Sequence, residues 1–336
     1  MRKPLNPFIS VCIIVVVSAA LIFGLLRFQA IQYLAAFSCC GFAKSLPAIN
    51  SAIKNAQIDT PTCDSQPIKI LTYNVRYGSD ILERLRKPFG QYAADSYLPW
   101  SERYPEIKNR IAGYQPDLIG LQEMHTNNDI AHIVPPEQYT LLSYHLKNFE
   151  YGDSALLFKS TRFEMLDSGQ IWLSPDTDLP LSLGFKQFAM IRYANWAMLR
   201  EKATGFTFVF VNTHFDNNPE NKEKSADLFH DRFVNLATTH PLIVVGDFNS
   251  KATTERYHRL LGSSDSQPFL INAYDLDTSP KTELNSNPNE LIDHILTGGP
   301  CKIAAHDWQV DKTPLTTGQP LSDHDPVMAV LQFSHN

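Results

Sequence analysis

Short apolar runs that stop abruptly at polar residues recur along residues 67–334, and they organise everything else in the chain. The clearest is LIVVGDFNS at 242–250, where four branched apolar residues run into Gly246 and then Asp247 and Asn249. A continuous apolar run of this length predicts a strand covered on both faces, and two-residue alternation puts Asp247 and Asn249 on one side just past its end. The same pattern appears in KILTYNV at 69–75, which leaves Asn74 near its end, and in LIGLQE at 118–123, which closes on Glu123. FTFVFVNTHFD at 206–216 finishes in Asn212 and His214, again on one side by alternation. LIDHIL at 291–296 carries Asp293, and LSDHDPV at 321–327 sets Asp323 and His324 ahead of a closing strand at 328–331. Further strands are predicted at 139–144, 153–158, 163–172 and 190–199, and helical spacing marks 101–114, 221–238 and 254–261.

The first 66 residues follow another rule. Residues 8–26 (FISVCIIVVVSAALIFGLL) are nearly all apolar and long enough to cross a bilayer core as a helix, with Arg2 and Lys3 before them and Arg27 after. An uncleaved anchor is preferred to a cleaved secretory signal, because the small pair Ala19-Ala20 sits inside the run rather than after it. The leading basic residues favour a cytoplasmic amino terminus, which sends the rest of the chain outside the cytoplasm. The alternative is a protein secreted after signal cleavage. A shorter patch at 30–43 reads as an interfacial or packed helix, with acylation of Cys39 as the lesser reading, and the stretch to residue 66 reads as a tether. The expected organisation is therefore an anchor or signal at 1–28, a membrane-proximal segment and linker at 29–66, and a catalytic domain at 67–334.

Composition narrows the chemistry. The chain has 336 residues, 43% hydrophobic and 19% charged, enough for a sizeable core. Its formal net charge of -6 arises wholly after residue 64, because the segment before it carries more basic than acidic side chains. No electropositive field draws in nucleic acid from a distance, although bound metal ions can supply local positive charge for a phosphate. Five cysteines without a CxxC pair or a Cys/His cluster exclude a thiolate metal site. Cys63 and Cys301 alone lie beyond the membrane-proximal region, and they can pair if the domain is extracytoplasmic.

Strands from distant parts of the chain that end in Asn, Glu, His and Asp converge on one rim in a layered fold. Such an oxygen-rich set suits a hard cation such as magnesium and supports metal-assisted phosphoester hydrolysis. The segments LTYNVRYG, DLIGLQEM, VFVNTHFDN, VVGDFNS, LIDHIL and LSDHDPV, in this order, resemble the endonuclease/exonuclease/phosphatase superfamily over about residues 69–332, and most closely a bacterial branch of it. The resemblance implies an α/β fold, a four-layer α/β/β/α sandwich of two mixed sheets with outer helices, here preceded by one N-terminal transmembrane helix.

Carried over residue by residue, it implies metal binding by Asn74 and Glu123 with Asp323 beside the metal, magnesium or manganese being the ion. It implies phosphate contact by Asn212 and His214, orientation of water and phosphate by Asp247 and Asn249, and a catalytic His324 held by Asp293, with either Asp247 or the His324–Asp293 pair taking the proton from water. Arg192 either faces the phosphate pocket or makes a structural ion pair. The tyrosine that abasic-site enzymes place near the phosphate has no equivalent here. The expected protein is a monomeric, membrane-tethered, magnesium-dependent phosphoester hydrolase of the phosphodiesterase or nuclease-like kind, its substrate a nucleic acid or a lipid head group. A lipid phosphodiesterase or phosphatase of the sphingomyelinase or phosphoinositide type is the alternative, and a catalytically silent binding module is the third reading.

Overall fold

The computed structural model describes residues 62–78, 97–146, 149–185, 190–262, 268–280, 288–315 and 318–335. The expected membrane span at 8–26, the patch at 30–43 with Cys39, and the tether up to residue 61 lie outside the described residues. Among the described residues no helix is long and apolar enough to cross a membrane.

In chain order the elements begin with strand β1 (Ile68–Gly78), helix α1 (Trp100–Tyr114), β2 (Leu118–Met124) and α2 (Asn127–Ile133). Next come β3 (Tyr139–Leu146), β4 (Phe149–Lys159), β5 (Phe163–Trp172), β6 (Tyr193–Glu201) and β7 (Thr207–His214). The remainder is α3 (Pro219–Phe233), β8 (Leu242–Asp247), α4 (Glu255–Leu261), β9 (Ile271–Asn272), α5 (Ala273–Leu276), β10 (Asp293–Gly298), β11 (Lys302–Val310) and β12 (Val327–Ser334). The helix expected at 221–238 starts earlier, where Asn218 caps it and Pro219 takes the first turn, and it ends at Phe233 before a separate 3₁₀ turn at Leu236–Thr238. β11 is an addition to the expected strands.

Two six-stranded sheets result, with orders β11-β12-β1-β2-β4-β3 and β5-β6-β7-β8-β10-β9. Each has a single parallel pair at its centre, β1/β2 in one and β7/β8 in the other, with antiparallel neighbours on both sides. Three separate apolar clusters show how the layers stack. Ile68 and Ile70 of β1 face Phe208, Phe210, Ile243 and Val245 of the second sheet, while Leu71, Tyr73 and Val75 face outward with Ile107 and Ile111 of α1. Val209, Val211, Leu242 and Val244 pack on Phe229 and Phe233 of α3. Both central strand pairs are thus covered on both faces, as continuous apolar runs require. Cys63 and Cys301 form a disulfide where the chain enters this sandwich.

Between the sheets the filling changes from apolar to polar along the strands. Past Ile70 and Phe210 the inward positions become Thr72, Gln122 and Asn212, all fully buried. Asn212 donates to the carbonyls of Leu121 (3.0 Å) and Ala155 (2.7 Å) and accepts from Gln122 Nε2 (2.7 Å), so its amide ties one sheet to the other. Gly120 makes room for this approach, since a Cβ there would lie 2.4 Å from Val245 Cγ2 and 2.6 Å from Asn212 Oδ1. Gly120→Ala is expected to cost about 1–3 kcal/mol, as overpacked cores do. Urea unfolding with an unchanged midpoint would show slack between the sheets.

Candidate functional site

The carboxyl ends of both parallel pairs meet at one rim, the position where open α/β sheets place their ligands. Asn74 leaves β1 pointing inward and donates through Nδ2 to Glu123 Oε1 (3.3 Å) and to Asp247 Oδ2 (3.1 Å). One carboxamide therefore joins a carboxylate from each sheet. Arg76 and Tyr77 adopt left-handed conformations (φ 51° and 49°) that turn their backbone N–H groups back toward the site. Arg76 N donates to Asn74 Oδ1 (3.0 Å) and Tyr77 N to Glu123 Oε2 (3.1 Å). Glu123 is itself left-handed, with φ 61°. By strict alternation it would share the outward face of Ile119 and Leu121, and its backbone conformation is what brings the carboxylate round to Asn74.

In the second sheet, the parallel register sets Thr213 beside Gly246 and His214 beside Asp247. Gly246 is required there, because a Cβ would fall 2.1 Å from the Thr213 carbonyl oxygen. His214 Nε2 lies 3.4 Å from Asp247 Oδ2, and its Nδ1 lies 3.1 Å from Asp153 Oδ1 and 2.8 Å from Arg192 Nη1. Asp247 Oδ1 accepts from Asn249 N (2.8 Å), an Asx turn that holds Asn249 at φ 49° while its Nδ2 donates to the Phe215 carbonyl (2.9 Å). Asp293 stands opposite Asp247 in the β8/β10 register. His324 donates from Nδ1 to Asp293 Oδ2 (2.6 Å) and presents Nε2 3.7 Å from Asp247 Oδ2. Burial alone would lower the pKa of His324, but the carboxylates of Asp293, Asp247 and Asp323 outweigh it and push it up to about 10.

Three other expected residues are placed outside the Asp247 cluster. Asn212 is consumed by the inter-sheet bridge below the site and does not share the rim with His214. Asp323 is half-exposed and faces Arg76 Nε at 3.7 Å, outside the compact group of ligand atoms formed by Asp247, Asp293 and His324. Arg192 takes the ion-pair alternative, bonded to Asp153 and touching His214. Burial pushes the Asp153 carboxyl up, yet Arg192 and His214 prevail and hold it well below the usual carboxylate range.

Asp153 was not among the expected residues, and neither was Arg103. Fully buried in α1, Arg103 donates to the carbonyls of Val75 (2.8 Å), Arg76 (2.7 Å) and Leu321 (2.7 Å), clamping the loop before His324 to the turn after Asn74. Its signal was legible, since a charge at 103 falls on the same helical stripe as Trp100, Ile107 and Ile111.

His294 supports the site from behind. Its Nε2 donates to the Ser250 carbonyl (2.8 Å), and burial outweighs this bond to push its pKa from 6.5 down to about 4. The unfolded chain takes up this proton first as pH falls, so the stability His294 contributes is complete above about 6.5 and is lost toward 4. His294→Gln is expected to flatten the acid limb of a melting-temperature profile over that window. An equally steep limb in the variant would contradict the buried neutral ring.

The donors at the rim are suited to a hard divalent cation. Glu123 offers carboxylate oxygens, the Asn74 oxygen accepts from Arg76 N, and Asp293 Oδ1 is buried with no hydrogen-bond partner among the described residues. Asp247, Asp293 and His324 bring ligand atoms within 4.8 Å of one another, a second set of donors beside Glu123.

A model of the Endonuclease/Exonuclease/phosphatase family matches residues 71–324. Nocturnin from Rattus norvegicus is 27% identical over 252 residues, covering 70% of this chain and 54% of that protein. The chain thus spans about half the length of the curated relatives it matches. Among solved structures, an endonuclease/exonuclease/phosphatase from Bacteroides vulgatus aligns with a TM-score of 0.63 at 24% identity, covering 80% of this chain and 100% of that one. A mannosyl-6-phosphatase from Bacteroides thetaiotaomicron aligns with a TM-score of 0.61 at 23% identity, covering 79% and 100%.

Proposed function

The chain belongs to the endonuclease/exonuclease/phosphatase family, and from that premise we propose that it is a magnesium-dependent phosphoester hydrolase. We propose further that it is a monomer tethered to a membrane through residues 8–26, with its catalytic domain outside the cytoplasm. The observation that carries the hydrolase reading is the convergence of Asn74, His214 and His324 on Asp247 Oδ2, from both sheets and three distant segments. A silent binding module has no need of that arrangement. The Cys63–Cys301 disulfide supports an oxidising compartment.

Water attacks phosphorus in line with the departing oxygen. Asp247 orients the water and accepts its proton, while His324, held protonated by Asp293, donates a hydrogen bond from Nε2 to a phosphoryl oxygen as charge builds there and passes its proton to the departing oxygen as the ester bond breaks. His214 meets the phosphate from the other side, braced by Asp153 and Arg192. A divalent cation held by Glu123 and Asn74 would neutralise phosphate charge. Nucleic acid and lipid head groups both fit this chemistry, and the likeness to a mannosyl-6-phosphatase adds sugar phosphates to the substrates worth testing. The test is the full chain in detergent with magnesium, assayed on plasmid DNA, RNA, sphingomyelin, phosphoinositides and a hexose phosphate. Turnover of at least one that stops on chelation is expected, and folded protein inert toward all of them would overturn the reading.

A further inference from the structure

Lys222 stands beside the site and takes no part in the chemistry above. It projects from α3, and its Nζ donates to the carbonyl oxygen of Asn249 at 3.1 Å. The basic residues around it are paired: Lys224 with Glu220 (3.7 Å), Arg256 with Glu223 (3.9 Å), Arg259 with Asp227 (3.1 Å) and Lys251 with Glu290. Closer to the reacting centre, Arg76 has Asp323 and Arg192 has Asp153. Among the described residues Lys222 has no ion pair, and its one hydrogen bond goes to a neutral carbonyl. An ammonium carries three donors, so two remain uncommitted on a half-buried cation at the edge of a site built for phosphate. Burial, and then Arg256, lower its pKa against the pull of Asp247, Asp216 and Glu223.

Position decides what those donors meet. Asp247 Oδ2 faces Asn74 and the two histidines, whereas Oδ1 faces Asn249, so Lys222, bonded to Asn249, stands on the Oδ1 side of Asp247. A phosphodiester has two non-bridging oxygens and one negative charge. In a phosphate seated over Asp247, one of these would be met on the Glu123 side and the other by the histidine Nε2 atoms that face Asp247 Oδ2. A phosphomonoester has a third terminal oxygen and a second charge, and Lys222 is the group left to receive them. We infer that Lys222 is a specificity-determining residue that reads the extra oxygen and charge of a phosphomonoester, which makes terminal phosphates the preferred substrate class. The inference rests on the hydrolase reading above.

The test compares p-nitrophenyl phosphate with bis(p-nitrophenyl) phosphate on the full chain with magnesium, in wild type, Lys222→Met and Lys222→Arg. The ratio of kcat/KM for monoester over diester should fall about tenfold to a hundredfold in Lys222→Met, the size of a lost charge-assisted hydrogen bond, and Lys222→Arg should restore most of it. A ratio unchanged within about twofold, with both substrates slowed alike, would reduce Lys222 to a prop for Asn249 and overturn the proposal. Calorimetric binding of inorganic phosphate gives a second readout that needs no turnover. Wild type should bind it at least about tenfold more tightly than Lys222→Met. Equal binding overturns the role of Lys222, whereas tighter binding by wild type with neither ester hydrolysed condemns the hydrolase reading alone.

Discussion

His324→Ala is expected to lower phosphoester turnover by at least about a hundredfold, because it removes a proton donor and a pre-aimed charge-stabilising group together. General acid–base help is worth about 10²–10⁴-fold and an aimed donor about 10²–10³-fold. The ring is bound through Nδ1 to Asp293 at 2.6 Å, so Asp293→Asn should give a partial form of the same loss. The double variant should be little worse than His324→Ala alone, since residues that act as one unit are not additive. Multiplicative losses would show that Asp293 works independently, and wild-type turnover in His324→Ala would remove the mechanism. A stability signature goes with it. The folded-state pKa is raised from 6.5 to about 10, so the stabilisation is complete below about 6.5 and fades as pH rises through about 10. The melting-temperature gap between wild type and His324→Ala should therefore narrow between pH 6 and 10, and a constant gap would contradict the charged ring.

Glu123→Gln is the second large effect. The carboxylate accepts from Asn74 Nδ2 and from Tyr77 N, and an amide in its place keeps the shape while losing the charge that would hold the proposed cation. Even partners that only orient metal ligands are worth about 10–100-fold in metal affinity, so the magnesium needed for half-maximal rate should rise by at least that factor. Direct magnesium binding by calorimetry should weaken in parallel, which separates loss of the ion from loss of chemistry. An unchanged magnesium dependence would place the metal elsewhere. Rescue of chelated wild type by zinc alone would contradict a hard oxygen site.

The residues at strand ends were legible because apolar runs stop where the interlayer filling turns polar. Asn74, Glu123, His214, Asp247, Asn249, Asp293 and His324 were all named from that pattern, as were the strands that carry them. What alternation could not settle was depth. Asn212 and His214 lie on one face, yet two residues along a strand separate a buried inter-sheet clamp from a rim residue. Nor could it settle Glu123, whose side is decided by a positive φ that an apolar pattern does not encode. Asp153 begins to matter only when the two sheets meet. β11 escaped because it is an edge strand whose alternation is broken by a bulge between His306 and Gln309.

The place of β12 in its sheet bears on the order of events during synthesis. It lies between β11 and β1, pairing with both, and β1 was made more than two hundred residues earlier. On the ribosome the first sheet can therefore hold β1, β2, β4 and β3 in place but cannot close until residues 327–334 have emerged. The backbone groups along one side of β1 stay open until then, as an edge strand. His324 precedes that strand by three residues and reaches Asp293 when it docks. The nascent chain thus carries every other rim residue before it can acquire the histidine, and it completes the proposed site only at the step that seals its sheet.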